Sequence, residues 1–322
     1  MKILIIRFSS FGDILLSFPL LNEIKRTYPD SEIHFLTNQK YSELLQINNN
    51  IDLIVSYNGE KIGRLHKTIK SRRYDLIIDL QKNTRSIFST FFTGVKKLRI
   101  KKQNFKKYFL VKFKINLFSR IIPVYLKYFN CCFKYLKLTK NVFTTSNLNF
   151  FTDRLIKEKY FVIAPASRHF TKSFPEYKFE EIIKNFSDYK IVLISDNTKE
   201  ETGICKRLAK ISNNCINYGG KIKYEALANV LHYSDFVICN DSAIMHFAEA
   251  LGKKVFAIFG SSVKEFGFYP QLKSSVFFEN ENLKCRPCSH IGRDSCPLKH
   301  FNCMEDIDVR QIISQVKSYL NN

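Results

Sequence analysis

The sequence predicts an α/β fold built from two doubly wound parallel sheets. Three observations carry this expectation. Short runs rich in β-branched and aromatic residues are continuously apolar, the pattern of strands covered on both faces. Helix-length amphipathic stretches alternate with them. The alternation fills the first 80 or so residues and starts again near residue 158 of a 322-residue chain, room for about two domains of ordinary size. The expected division is a first domain over residues 1–152, carrying a basic aromatic insertion at about 96–150, and a second over 153–322 with a cysteine-rich tail.

In the first half KILIIRF, EIHFLT (Glu32 to Thr37), IDLIVSY (Ile51 to Tyr57) and YDLIIDL (Tyr74 to Leu80) read as strands. Helical patterns lie between them at Asp13–Tyr28, Gln39–Gln46 and Lys61–Ser71. In the second half YFVIAP, KIVLIS (Lys190 to Ser195), DFVICN (Asp235 to Asn240) and KVFAIFG (Lys254 to Gly260) read as strands. Glu176–Phe186, Lys199–Ile211, Tyr224–His232 and Ala243–Leu251 read as helices. In such sheets ligands sit outside the carboxyl ends of the strands. The chain has no G-x-G-x-x-G, which counts against an ordinary dinucleotide-dependent dehydrogenase.

The formal charge is +22, from 51 Lys and Arg against 29 Asp and Glu. No acidic residue occurs between Asp79 and Asp153, and 16 Lys or Arg fall from Lys82 to Lys140. The excess is therefore a local field. Phe105, Tyr108, Phe109, Phe113, Phe118, Tyr125, Tyr128, Phe129, Phe133 and Tyr135 are interleaved with these cations. Lys127, Asn130, Lys134 and Lys137 would share one helical face. Two readings stand open: amphipathic helices packed on the first domain with a solvated basic face, or a surface for an anionic, partly greasy ligand such as a lipid headgroup. Basic residues with aromatics also suit nucleic acid, but no recognition motif accompanies them and none is expected as a partner.

Every apolar run is too short for a membrane-spanning helix, which needs roughly 20 residues. The four apolar residues between Lys2 and Arg7 are too few for a secretory core. Nine cysteines without a secretion signal imply a reducing compartment, with free thiols or a metal site.

Three segments hold chemistry. In "RFSSFGDILLSFP" a strand signal ends at Ser9, Ser10 and Gly12, and Asp13 stands in the first turn of the next helix. A carboxylate there is favoured by free N–H groups and the helix dipole, and the same field would keep it ionised and able to accept a proton. In "APASRHFTKSFPEYKF" Ser167 and Lys172 follow a strand and could meet phosphate oxygens, Lys172 as a point charge. In "CNDSAIMHFAEALGKKVFAIFG" a strand ends at Asp241-Ser242 and a helix starts at once. The free N–H groups there suit an anion, and His246 lies one turn in. A bland reading exists for each segment alone: cap, solvated lysine, core histidine.

Together, in this order and spacing, these segments resemble glycosyltransferase family nine, the ADP-heptose:lipopolysaccharide heptosyltransferases. The likeness covers most of the chain outside residues 96–150. It implies a GT-B fold, two Rossmann-like domains with the site in the cleft between them. By the resemblance Asp13 is the base on the acceptor side, in the loop of Ser9, Ser10 and Gly12. Ser167 and Lys172 meet the donor diphosphate, and Glu225 holds the donor ribose. Asp241, Ser242, Ala243 and His246 fall on the family's D-[ST]-G-x-x-H segment. Ala243 replaces the family's usual Gly; Ala tolerates ordinary helical φ, so its N–H can still face a phosphate.

The implied reaction is inverting, metal-independent transfer of a heptose from ADP-heptose to the lipopolysaccharide inner core, on a Kdo-lipid A type acceptor. Lys172 and the helix start would stabilise charge growing on the diphosphate. No D-x-D motif appears at these loops, so no cofactor is required for catalysis on this reading. The implied partners are the nucleotide sugar, the lipid-linked saccharide and an anionic membrane surface. The implied place is the cytoplasm, peripheral on the inner membrane of a Gram-negative bacterium. The alternatives are a family-nine transferase using another nucleotide sugar, or a basic, non-catalytic nucleic-acid-binding protein. Cys285, Cys288, Cys296 and Cys303, spaced C-x2-C-x7-C-x6-C, suit either a structural zinc or free or paired thiols.

Overall fold

The computed structural model describes residues 1–139, 143, 148 and 153–321. The expected boundary at 152/153 and the end of the basic run at Lys140 lie outside the described residues. Two compact units form: Met1–Lys102 with Val124–Phe150, and Gln103–Pro123 with Phe151–Asn322.

The first unit carries strands β1 (Lys2–Ile6), β2 (Glu32–Asn38), β3 (Leu53–Tyr57), β4 (Leu76–Asp79) and β5 (Lys96–Arg99). They form one parallel sheet in the order β3-β2-β1-β4-β5. Ile3, Leu4, Ile5 and Ile6 of β1 are all fully buried, which is why the run shows no polar alternation. The predicted helix over Asp13–Tyr28 is two helices, Phe11–Leu15 and Phe18–Thr27. The Ser17 hydroxyl turns back to the Ile14 carbonyl at 2.6 Å, and Pro19, which has no N–H, sits in the first turn of the second helix, where none is needed. The predicted helix at Gln39–Gln46 is a 3-10 turn, Gln39–Tyr41, followed by a helix at Ser42–Gln46.

The second unit carries β6 (Tyr160–Ala164), β7 (Lys190–Leu193), β8 (Cys215–Asn217), β9 (Val237–Asn240), β10 (Val255–Phe259) and β11 (Val276–Glu279). Its parallel sheet has the order β11-β10-β9-β6-β7-β8. In both sheets the strand order reverses beside the first strand, at β1/β4 and at β6/β9. Ligands of doubly wound folds bind at that switch point. The helices Glu176–Asn185, Lys199–Leu208, Tyr224–Tyr233 and Ala243–Ala250 match the predicted ones to within a few residues.

The basic section is not one insertion. Lys96–Arg99 is the strand β5, at the edge of the first sheet, where lysines discourage further pairing. Helix Asn104–Phe113 groups with the second unit, and helix Val124–Cys132 with the first. Lys114 Nζ donates to the carbonyls of Cys285 at 2.9 Å and Pro287 at 2.6 Å. Asn116 Nδ2 donates to Glu265 Oε1 at 3.1 Å. These bonds explain why residues 103–123 leave the half in which the sequence placed them. Lys134 and Lys137 lie past the end of helix Val124–Cys132, and Lys137 has a φ of 48°. So Lys127, Asn130, Lys134 and Lys137 do not share a helical face. Tyr128 and Phe129 are buried in the first unit's core.

Among the described residues no helix is long and apolar enough to cross a membrane.

Candidate functional site

In the first unit the register of β1 against β4 pairs Ile6 with Asp79, so Arg7 and Leu80 leave the sheet side by side. Arg7 Nη1 donates to the Leu80 carbonyl at 2.8 Å, and Nη2 reaches Asp13 Oδ2 at 2.6 Å. The Ser10 hydroxyl and N–H also donate to Oδ2, at 2.8 and 3.3 Å. Tyr128 donates to Oδ1 at 3.1 Å. The helix-start reading of Asp13 is thus realised, with Ser10 as the cap residue. Burial pushes the Asp13 carboxyl up, but the Arg7 guanidinium and the Ser10 bonds outweigh it and hold the carboxyl below its ordinary range. Burial and the Asp13 charge push the Tyr128 phenol well up, so it remains a donor. Ser9 and Gly12 shape the loop but make none of these bonds.

In the second unit the network is centred on Asp241, just after β9. Its carboxylate meets Lys172 Nζ at 2.6 Å and accepts the Ser262 hydroxyl. Asp241 and His246 are both buried. Burial raises the Asp241 carboxyl, while Lys172, Ser262 and the nearby His246 together bring it below its ordinary range. The His246 ring lies 5.9 Å from that of Phe268. Ser242 precedes helix Ala243–Ala250 in an extended conformation. Its hydroxyl is buried without a hydrogen-bond partner among the described residues. Ala243 is the first residue of that helix, as the sequence pattern requires.

The loop that carries Lys172 is held from three sides. Asn240 Nδ2 donates to the Pro165 carbonyl at 2.8 Å, and Asn240 Oδ1 accepts from Phe174 N–H at 3.0 Å. Thr171 exchanges bonds with Arg293, 3.1 Å from Thr171 N–H to the Arg293 carbonyl and 2.9 Å from Arg293 N–H to Thr171 Oγ1. Ser261 N–H donates to the Thr171 carbonyl at 3.1 Å. Gly260 is required here, because a Cβ would lie 2.6 Å from the Thr171 carbonyl oxygen.

Ser167 stands on the same loop, its carbonyl accepting the Ser173 hydroxyl at 3.3 Å. Glu225 lies in the first turn of helix Tyr224–Tyr233 and makes none of the network's bonds. The structure therefore brings Lys172, Asp241, Ser242, Ala243 and His246 together in one unit, and Asp13 with Ser10 in the other.

Sequence reasoning missed Arg7, Tyr128, Asn240, Ser262 and Arg286. Arg286 is nearly fully buried. It donates through Nε to the Gly260 carbonyl at 2.6 Å and through Nη2 to the Ser262 carbonyl at 2.8 Å, and pairs with Glu279 at 2.5 Å. Asn240 lies inside one quoted motif, Ser262 just past its end, and Arg7 opens another, so proximity to a motif was an available signal. Tyr128 gave none: nothing local distinguishes it from the exposed tyrosines around it.

Cys285, Cys288, Cys296 and Cys303 are not placed to hold a zinc ion in this structure. All nine cysteines are free. Among the described residues no group of three or more His, Cys, Asp or Glu side chains is placed to hold a metal ion. Cys303 belongs to the second unit's apolar core and Cys296 packs against it. Burial pushes the Cys303 thiol up to about 12 and that of Cys288 upward.

Comparison with known proteins follows the same lines. The family model for glycosyltransferase family 9 (heptosyltransferase) matches residues 62–299. The chain is 26% identical over 340 residues to lipooligosaccharide heptosyltransferase 2 of Campylobacter jejuni subsp. jejuni serotype O:2, covering 100% of this chain and 99% of that one. It is similar in fold to the ADP-heptose lps heptosyltransferase II of E. coli, with a TM-score of 0.74, 16% identity and coverage of 99% and 98%. The E. coli heptosyltransferase WaaC, solved with ADP, matches with a TM-score of 0.72, 16% identity and 99% coverage of both chains. Two parallel-sheet α/β units of the GT-B class, and a family match across most of the sequence, lead to one conclusion: the chain is a glycosyltransferase and belongs to glycosyltransferase family 9.

Proposed function

We propose that this enzyme transfers a heptose from ADP-heptose, with inversion, to the inner core of a lipid-linked saccharide of the Kdo-lipid A type. The observation that carries the reading is the buried Lys172–Asp241–Ser262 network at the switch point of the second sheet, beside the helix start at Ser242–Ala243. The similar E. coli proteins, the ADP-heptose lps heptosyltransferase II and WaaC solved with ADP, support the choice of donor.

On this reading the diphosphate sits against Lys172 and the N–H groups that open helix Ala243–Ala250. Lys172 is already positioned by Asp241, so little order has to be imposed when the anion arrives. As the bond from the anomeric carbon to the diphosphate breaks, negative charge grows on the leaving oxygen. The ammonium and the helix start lower the energy of that charge. They do the work without a cofactor. Ser167 adds a hydroxyl to the phosphate site and Glu225 takes the ribose.

Asp13 takes the proton of the acceptor hydroxyl. Its depressed pKa keeps it ionised at neutral pH, which supplies the base form at the cost of base strength. That compromise suits a proton transfer that comes late, after the new glycosidic bond has begun to form. Arg7 and Tyr128 fix the carboxylate's orientation. The lipid-linked acceptor is met at an anionic membrane surface, from the cytoplasmic side.

The test is a mass-spectrometric donor screen with Kdo-lipid A as acceptor, comparing ADP-heptose with other nucleotide sugars. Addition of one heptose and release of ADP are expected. Asp13→Asn should lower kcat at least a hundredfold, a typical contribution of a general base, with ADP affinity unchanged. Transfer from another nucleotide sugar alone would overturn the donor, and near-normal kcat in folded Asp13→Asn would overturn the base.

A further inference from the structure

We propose that the outer face of helix Asn104–Phe113, with the segment that follows it to Ile121, is a docking surface for an anionic phospholipid membrane. The proposal rests on the functional reading above and gives the membrane contact a specific place in the second unit. The sequence alone could not locate this face, because it treated residues 96–150 as one basic block.

Helix Asn104–Phe113 is anchored on one side. Leu110 is buried, and Lys107 Nζ lies 5.6 Å from the ring centres of both Phe266 and Phe268. The bonds of Lys114 and Asn116 described above pin the chain just beyond the helix. Lys107 and Lys114 are therefore committed to the protein's own surface.

The other side is open and apolar. Phe105 is 66% exposed, Tyr108 57% and Phe113 53%. Their spacing puts them on one helical stripe, and their rings pack on the partly buried Phe109, whose ring centre lies 4.4 Å from that of Phe105 and 5.3 Å from that of Phe113. Ile115, Leu117 and Ile121 continue the exposure. A monomeric surface seldom spends this many large apolar side chains in one short segment.

Charge selects the occupant. Lys112 lies on the same stripe and Arg120 in the segment that follows the helix, both exposed. No acidic residue falls between Asp79 and Asp153. Aromatic rings at the headgroup boundary with cations meeting phosphate is the pattern of an interfacial segment. It does not suit a second copy of this face, which would bring like charges together.

The experiment uses the full chain and two kinds of vesicle, phosphatidylglycerol with phosphatidylethanolamine, and pure phosphatidylcholine. The parent should sediment with the anionic vesicles, release as salt rises, and ignore the neutral ones. Phe105→Ser/Phe113→Ser and, separately, Lys112→Gln/Arg120→Gln should each weaken the anionic partition at least tenfold. Both should keep the parent's circular dichroism and ADP affinity. Failure of the parent to bind anionic vesicles at low salt, or equal binding by the variants, overturns the proposal. So does a parent dimer that the Phe variant dissolves, since it assigns the face to a second copy. A parent that binds anionic vesicles but not ADP would leave the docking surface standing and refute the donor assignment instead.

Discussion

Replacing Lys172 separates what the Lys172–Asp241 pair does for the fold from what it does for the ligand. The two atoms are 2.6 Å apart and the side chains are 15% and 5% exposed, so this is a buried pair. Removing one partner of such a pair leaves an uncompensated charge and costs about 3–5 kcal/mol. Lys172→Met should lose roughly that much stability at pH 7, with Asp241 retaining only Ser262 and His246 nearby. The loss has a pH signature. In the parent the Asp241 carboxyl is held below its unfolded value, so its contribution is present above that value and fades as pH falls through the folded one. Lys172 is the largest influence opposing burial, so without it the carboxyl rises from its value in the parent. The variant's deficit should therefore shrink as pH is lowered toward 5. Lys172→Met/Asp241→Asn removes the orphan charge and should recover most of the stability. ADP affinity should not recover: one charge-assisted contact is worth about 1.5–3 kcal/mol, roughly ten- to a hundredfold in Kd. Urea titrations from pH 5 to 8 and calorimetry with ADP make both measurements. Unchanged ADP affinity in the double variant would refute the phosphate role, and a single variant as stable as the parent would refute the buried pair.

Arg286→Lys keeps the charge but loses the fork that holds Gly260, Ser262 and Glu279; we expect weaker ADP binding with kcat little changed, and loss of stability alone, with ADP affinity intact, would reduce Arg286 to a structural role. Glu249, buried on helix Ala243–Ala250, accepts N–H bonds from Gln271 and Leu272; burial pushes it up to about 7 while those bonds oppose the shift. Its folded pKa stands above the unfolded value of about 4.3, so the stability it contributes is full below that value and lost as pH rises through 7. Glu249→Gln should remove up to about 3 kcal/mol of this dependence between pH 4.5 and 7.5, measured as the parent-minus-variant difference in urea unfolding; parallel curves would contradict the assignment.

What the sequence made legible was the part of the fold fixed by local pattern. β1, β6, β9 and β10 are buried on both faces, so each reads as an unbroken apolar run. The strands it missed are edge or short ones. β5 is KKLR, whose lysines mark an edge rather than a core, and β8 has three residues. The split at Ser17 was also legible in principle, since Pro19 belongs to a helix start. The site was legible where a strand meets a helix, because Asp13 and Asp241 must stand there to use free N–H groups or to face a ligand.

The rest depends on contacts between residues far apart in the chain. Tyr128 reaches Asp13 across 115 positions, and Arg293 reaches Thr171 across 122. Neither contact leaves a local trace. The basic section shows the same limit from the other side. Its composition suggested one block with one role, but the chain uses Lys96–Arg99 to close a sheet, Lys107 and Lys114 to fasten a helix, and Tyr128 to orient a carboxylate. What remains for an external partner is a smaller set than the charge count implied. That reduction gives the vesicle experiment its sharp choice of residues: a diffuse basic field would respond to any lysine, whereas a built face should respond to Phe105, Phe113, Lys112 and Arg120 and ignore Lys134.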